Sequence, residues 1–241
     1  MDTDKIQQID PKTRLIMIRD SIREAELKAG RPEGSVRLIG VTKFKTAEEI
    51  RPALEAGLAE IGENRAQEFT DKFEFFGSYG VKKHFIGALQ TNKVKYLVGK
   101  ADLIQSVDRP ALAAEISRLA AARKVIQPIL IEVNIGAEEQ KSGVAPAELP
   151  GLLEMISAMP GIEVKGLMCV PPAGSEDEAR PYFAAMRGLF RRMGELELPN
   201  VRMEELSMGM SGDYKAAICE GATMVRIGSA IFGPRSAVKP V

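Results

Sequence analysis

The chain has 241 residues, 45% of them hydrophobic and 27% charged, with 33 basic and 33 acidic side chains that cancel. That length suits one large domain with a full core, and zero net charge leaves no broad cationic face for nucleic acid or an anionic membrane. The only two cysteines, Cys169 and Cys219, stand far apart inside apolar stretches, which excludes a disulfide framework or a paired-cysteine metal site and predicts buried, reduced thiols.

The polar, acidic N-terminus lacks the apolar core of a signal peptide, and no apolar run is long enough to span a bilayer, so a cytoplasmic protein is predicted. The first element is a helix. Leu15, Ile18, Ile22, Ala25 and Ala29 recur at three- and four-residue steps, and Gly30, Pro32 and Gly34 end it. Eight short apolar or alternating runs follow, at 36–43, 59–64, 83–89, 102–108, 126–135, 162–170, 203–211 and 223–230. Helical periodicity fills the gaps, as at 111–124 and 147–159. Strict alternation predicts parallel βαβ units, and right-handed crossovers close eight of them into a (β/α)8 TIM barrel preceded by the N-terminal helix. On pattern alone, a doubly wound open sheet is the alternative. No linker, repeat or low-complexity stretch marks a second domain, so residues 1–241 read as a single α/β domain.

In such a barrel the active site lies at the C-terminal ends of the strands, where polar residues closing apolar runs become candidates. The first strand ends in Thr42-Lys43 with Lys45 just beyond, and the second in Glu63-Asn64. On the fifth, Glu132 and Asn134 share a face with Leu130. Ser207 and then Met210-Ser211-Gly212 close the seventh, and Arg226 precedes Gly228-Ser229 on the eighth. The last two sites suit a phosphate: Gly228 lets backbone approach an anion, and Ser211 and Ser229 add donors. Tight turns with capping serines account for them equally well, and Asp213 is read as the N-cap of a helix through Ile218.

Lys43, flanked by apolar residues, is placed to expose a nucleophilic amine, and a second cation at Lys45 pushes the same way. The ordinary reading is a strand-end lysine reaching for water. An inward Arg226 needs an acceptor, either Glu132 or a ligand heteroatom. His84, the single histidine, opens the third strand and reads as a hydrogen-bonded core residue, which sets aside zinc sites and histidine triads. Neither a GxGxxG nor a Walker A pattern occurs.

These residues also carry a family resemblance. GVTKFK (40–45), GENRAQE (62–68), HFIGALQTNK (84–93), QKSGV (140–144), KGLMCVPP (165–172), LSMGMSGD (206–213) and MVRIGSAIFG (224–233) occur in this order. From about Val36 to Arg235 the chain resembles the PLP homeostasis proteins, single-domain relatives of the N-terminal barrel of alanine racemase. Ala88 stands where proline is usual there, and Arg65 where tyrosine is frequent. The resemblance implies the vitamin B6 cofactor pyridoxal 5′-phosphate (PLP) as a Schiff base on Lys43. Arg226 then faces the pyridine nitrogen, Ser211, Gly228 and Ser229 hold the phosphate, and Ser207 and Asn64 line the pocket. A permanent cation beside the ring nitrogen disfavours a pyridinium and weakens the electron sink.

The resemblance further implies an intracellular protein that buffers or delivers PLP without strong catalysis, with apo-PLP enzymes as transient partners. The alternative is a PLP-dependent amino-acid racemase. Racemases of this barrel type complete their site with a C-terminal β domain and a partner subunit, whereas this sequence stops at Val241, which favours a carrier and a monomer. Of its tyrosines, Tyr79, Tyr96, Tyr182 and Tyr214, only Tyr214 is expected near the mouth as a second acid/base. A phosphosugar isomerase barrel using Lys43 for aldolase-like chemistry explains fewer of the blocks.

Overall fold

Asp10 opens the first helix by accepting from the backbone N–H groups of Lys12 and Thr13 at 2.9 and 3.1 Å. In the computed structural model, which describes residues 10–234, this helix (α1) spans Pro11–Lys28 and buries Leu15, Ile22 and Ala25. Arg235 and the tail to Val241, the end of the matched region, lie outside the described residues. Glu26 of α1 is buried as well. Its carboxylate accepts from the N–H groups of Gly34 and Val36 and from the Ser35 hydroxyl, which ties the chain down as it enters the first strand.

Eight parallel strands follow: β1 (Arg37–Val41), β2 (Glu60–Glu63), β3 (Lys82–Phe85), β4 (Leu103–Val107), β5 (Gln127–Glu132), β6 (Ile162–Met168), β7 (Val201–Ser207) and β8 (Met224–Ile227). Each pairs with the next and β8 pairs with β1, so the sheet is a closed barrel and the open doubly wound alternative is ruled out. Helices α2 (Ala47–Glu55), α3 (Ala66–Asp71), α4 (Phe73–Ser78), α5 (Pro110–Arg123), α6 (Leu149–Ser157), α7 (Glu176–Gly194), α8 (Tyr214–Cys219) and α9 (Ser229–Phe232) lie between and after the strands. One connection departs from strict alternation. Between β3 and β4 the chain forms a 3₁₀ turn, Thr91–Tyr96, which buries Val94 and leads into buried Leu97 and Val98.

The main core lies between the barrel wall and the helices, and a small inner cluster of Ile39, Leu103, Leu130, Met168 and Met224 fills the barrel itself. Gly166 marks a bulge where β6 meets β7. Its φ is +146°, and a Cβ there would stand 1.9 Å from the Glu205 carbonyl oxygen. Cys169 is fully buried and its thiol is pushed up to about 12 by that burial. Cys219 is free but only partly buried, which corrects the expectation of two buried thiols. Among the described residues, no helix is long and apolar enough to cross a membrane, and no cluster suits a metal ion.

Candidate functional site

A cavity of about 510 Å³ opens at the C-terminal ends of the strands. Lys43, Asn64, Ser211, Arg226, Gly228 and Ser229 all line it, so six of the seven predicted residues meet in one place. The seventh, Ser207, does not. It is fully buried one layer below, under Arg226. The apolar wall comes from Val41, Ile86, Val170, Met210 and Phe232.

Lys43 lies two residues past the end of β1 and is partly buried. The Lys45 ammonium, the second cation of this strand end, pairs with Glu49, 3.0 Å away, and donates to the Pro234 carbonyl at 3.1 Å. Across from Lys43, the Asn64 side-chain oxygen is buried and accepts from nothing among the described residues. Gly87 helps to place it. A Cβ at Gly87 would stand 2.2 Å from the Asn64 carbonyl oxygen, so only glycine lets these two strand ends approach.

Arg226 is 4% exposed. It donates through Nη1 to the Ser207 hydroxyl at 2.6 Å and through Nη2 to the Cys169 carbonyl at 2.8 Å. Ser207 donates on to Gln105 Oε1 at 2.7 Å, and Gln105 Nε2 lies 3.0 Å from His84 Nδ1. His84 Nε2 in turn lies 3.0 Å from a Glu60 carboxylate oxygen. His84 is therefore the polar-bonded core residue its position predicts. Gln105 carries little sequence signal, being one polar residue inside the apolar run 102–108.

Glu132 is not the ion-pair partner proposed for Arg226; among the described residues no carboxylate forms a salt bridge with this guanidinium. Burial, with a contribution from Asp108, pushes the Glu132 carboxyl up to about 7 against the opposing pull of Arg226. Asn134 is taken up by its own loop, donating to the Glu138 carbonyl and accepting from the Glu138 N–H.

The loops after β7 and β8 sit side by side, and the Ala230 N–H donates to the Ser211 hydroxyl at 3.4 Å. The N–H groups of Ser211, Gly212, Gly228 and Ser229 donate to no partner among the described residues. Asp213 holds the N-cap position of α8 but makes no side-chain cap bond; its carboxylate accepts instead from the Met210 N–H at 2.6 Å, bracing the loop. Tyr214 follows it, yet its hydroxyl donates to Ser21 of α1 at 2.8 Å, so the phenol points away from the cavity.

The sequence profile of the alanine racemase N-terminal domain matches residues 17–236. The pyridoxal phosphate homeostasis protein of Aquifex aeolicus is 46% identical over 224 residues, covering 92% of this chain and 97% of its own. That of Escherichia coli K12 is 37% identical over 229 residues, covering 92% and 95%. Among solved structures, PipY of Synechococcus elongatus with PLP bound superposes with a TM-score of 0.77 at 35% identity, covering 88% of this chain and 98% of that one. Alanine racemase of Corynebacterium glutamicum shares the fold at 20% identity and a TM-score of 0.62, with 63% of its chain covered.

Proposed function

The chain belongs to the pyridoxal phosphate homeostasis proteins, within the alanine racemase N-terminal domain family, and from that membership we propose that it carries PLP as a Schiff base on Lys43. In this reading it buffers or delivers the cofactor inside the cell without strong catalysis. The observation that carries the reading is convergence. One cavity holds a lysine, a buried arginine and, counted among the described residues, an Asn64 oxygen without a donor and four N–H groups without acceptors.

These groups fit a phosphorylated pyridine aldehyde. Lys43 supplies the amine. Arg226 keeps its charge and, with both Nη atoms engaged by the protein, has Nε left to face the ring nitrogen. The N–H groups of Ser211, Gly212, Gly228 and Ser229 supply donors for the phosphate, and Asn64 offers an acceptor to the ring hydroxyl. Ser207 acts through Arg226, as its support. Bound PLP supplies an aldehyde for amines and an electron-withdrawing ring. A permanent cation at the ring nitrogen limits that withdrawal, and the Tyr214 phenol, held by Ser21, is not available as a second acid/base. The same reading takes 1–241 as one cytoplasmic domain, monomeric, meeting apo-PLP enzymes transiently.

Borohydride reduction of the PLP-loaded protein, followed by peptide mapping, should fix the label on Lys43, and Lys43→Ala should stay folded but take no label. A label on Lys45 or Lys141 refutes the assignment. Loaded protein incubated with L-alanine in deuterated water should show negligible Cα exchange, whereas racemisation at about 1 s⁻¹ or faster makes it a racemase.

A further inference from the structure

The turn that carries Lys43 is bent in an unusual way and tied down by residues from outside it. Phe44, next to Lys43, has φ +62°, the left-handed region that a non-glycine residue occupies only when its surroundings hold it there. Its N–H donates to Glu68 of α3 at 2.8 Å. Lys72 stands at the joint between α3 and α4, and its ammonium reaches back under the same turn. It donates to the Thr42 carbonyl at 3.0 Å and to the Lys45 carbonyl at 3.2 Å, one on each side of Lys43-Phe44. Two carboxylates neutralise it, Glu63 at 2.5 Å and Glu68 at 3.4 Å. Glu63 is fully buried at the end of β2 and also accepts from the Thr42 hydroxyl at 2.6 Å.

We propose that Lys72 is a positioning residue for Lys43: with Glu63 and Glu68 it clamps the backbone on both sides of the turn and fixes where the Lys43 amine is presented. The proposal rests on Lys43 being the PLP-bearing lysine. Lys72 has four acceptors for three protons, so it is saturated by the protein and never competes for the aldehyde. Burial pushes the Glu63 carboxyl up while Lys72 pulls it back. Without the ammonium, the Lys45 carbonyl loses its side-chain donor, the Thr42 carbonyl keeps only the Lys45 N–H at 3.2 Å, and Glu63 loses its counter-charge. The turn then keeps only its own Lys45-to-Thr42 bond and the bond from Phe44 to Glu68, and is held less firmly in the left-handed conformation at Phe44.

A positioning role separates two measurements that a general structural role moves together. One is the rate of Schiff-base formation with PLP, followed by absorbance and borohydride trapping. The other is affinity for 4′-deoxypyridoxine 5′-phosphate, which fills the cavity but has no aldehyde. Lys72→Met should slow Schiff-base formation by about 10- to 100-fold and leave the affinity for the deoxy analogue unchanged. Lys72→Arg, which restores a cation with several donors, should recover part of the rate. Should Lys72→Met not fold, Glu68→Ala removes the acceptor of the Phe44 N–H and should give the same split. A wild-type rate in these variants, or a parallel loss of both measurements, overturns the clamp. Mapping the label in wild-type protein comes first: a label away from Lys43 refutes both readings, while a label on Lys43 with unaffected variants refutes the clamp alone.

Discussion

On the β1–β2 side of the barrel mouth, the backbone around Lys43 is tied by charged groups, with the Lys72 ammonium set between Glu63 and Glu68. On the β7–β8 side, Arg226 rests on neutral groups, the Ser207 hydroxyl, the Cys169 carbonyl and, beyond Ser207, the Gln105 amide. Both cations are hydrogen-bonded, Arg226 buried and Lys72 partly so, yet only Lys72 is paired with carboxylates. A cation whose task is to hold backbone is best cancelled by carboxylates, because an uncompensated buried charge costs several kcal/mol. A cation whose task is to act on a ligand must keep its field. Arg226 keeps more of it: no carboxylate among the described residues forms a salt bridge with it, and Glu132, one of the acidic groups that act on it, is pushed up to about 7.

The largest expected effect tests whether a ligand spans both sides. Pyridoxal lacking the phosphate should still reach Lys43 but lose the donors on the β7–β8 loops, each worth roughly 1.5–3 kcal/mol toward an oxyanion. Two such bonds make a loss of a hundredfold or more in affinity, roughly; equal binding of pyridoxal and PLP breaks the comparison. Gly228→Val should act in the same direction, since even its Cβ would stand 3.2 Å from that of Val41.

Next comes the neutral side itself. Gln105→Leu leaves the Ser207 hydroxyl without its acceptor and His84 Nδ1 without its partner inside the barrel. The expected loss of stability is about 2–4 kcal/mol by thermal unfolding. Deoxypyridoxine phosphate affinity should fall with it, because Arg226 loses its support. If stability falls while that affinity is untouched, the chain below Arg226 is packing and nothing more.

Glu132→Gln sharpens the contrast in charge. Folded protein holds the Glu132 proton up to about 7, whereas the unfolded chain releases it near the ordinary value of 4.5. Between those values the folded state binds more protons, so this group lowers stability as pH rises and the loss is complete above about 7. Glutamine carries no such proton. The variant should match wild type below pH 4.5 and be more stable above pH 7, by about 3 kcal/mol. Melting curves at both ends of that window check the sign.

Much of this was legible from residue order, and the misses share a cause. Thr42-Lys43 and Arg226 stand out because a polar residue closing an apolar strand is costly unless it has work at the mouth. The runs at 83–89 and 203–211 overshoot the ends of β3 and β7, because Ile86 and Met210 are apolar for the sake of the cavity wall rather than the sheet. The depth of Ser207 depends on its pairing opposite Met224, a register that no local pattern encodes. The pairing of Lys45 with Glu49 is an i,i+4 contact and was readable. The role of Lys72 was not, since it reaches a turn some thirty residues earlier through a break between two short helices.

The smallest expected effect belongs to Ser229. Ser229 lines the cavity, and only its hydroxyl is lost in Ser229→Ala. The backbone donor stays, as do those of Ser211, Gly212 and Gly228, none of which has an acceptor among the described residues. Ser211 is different in kind, since its hydroxyl already accepts from Ala230 at 3.4 Å and joins the two loops. One neutral hydrogen bond among several contributes about 0.5–1.5 kcal/mol. PLP affinity should therefore drop by a few-fold, with Schiff-base formation at saturating PLP unchanged, because nothing on the Lys43 side has moved. A loss as large as that from removing the phosphate would mean that the hydroxyl, not the backbone, holds the anion. A loss of the saturating rate would mean that the two sides of the mouth are mechanically coupled, and that the charged clamp and the neutral chain do not act separately.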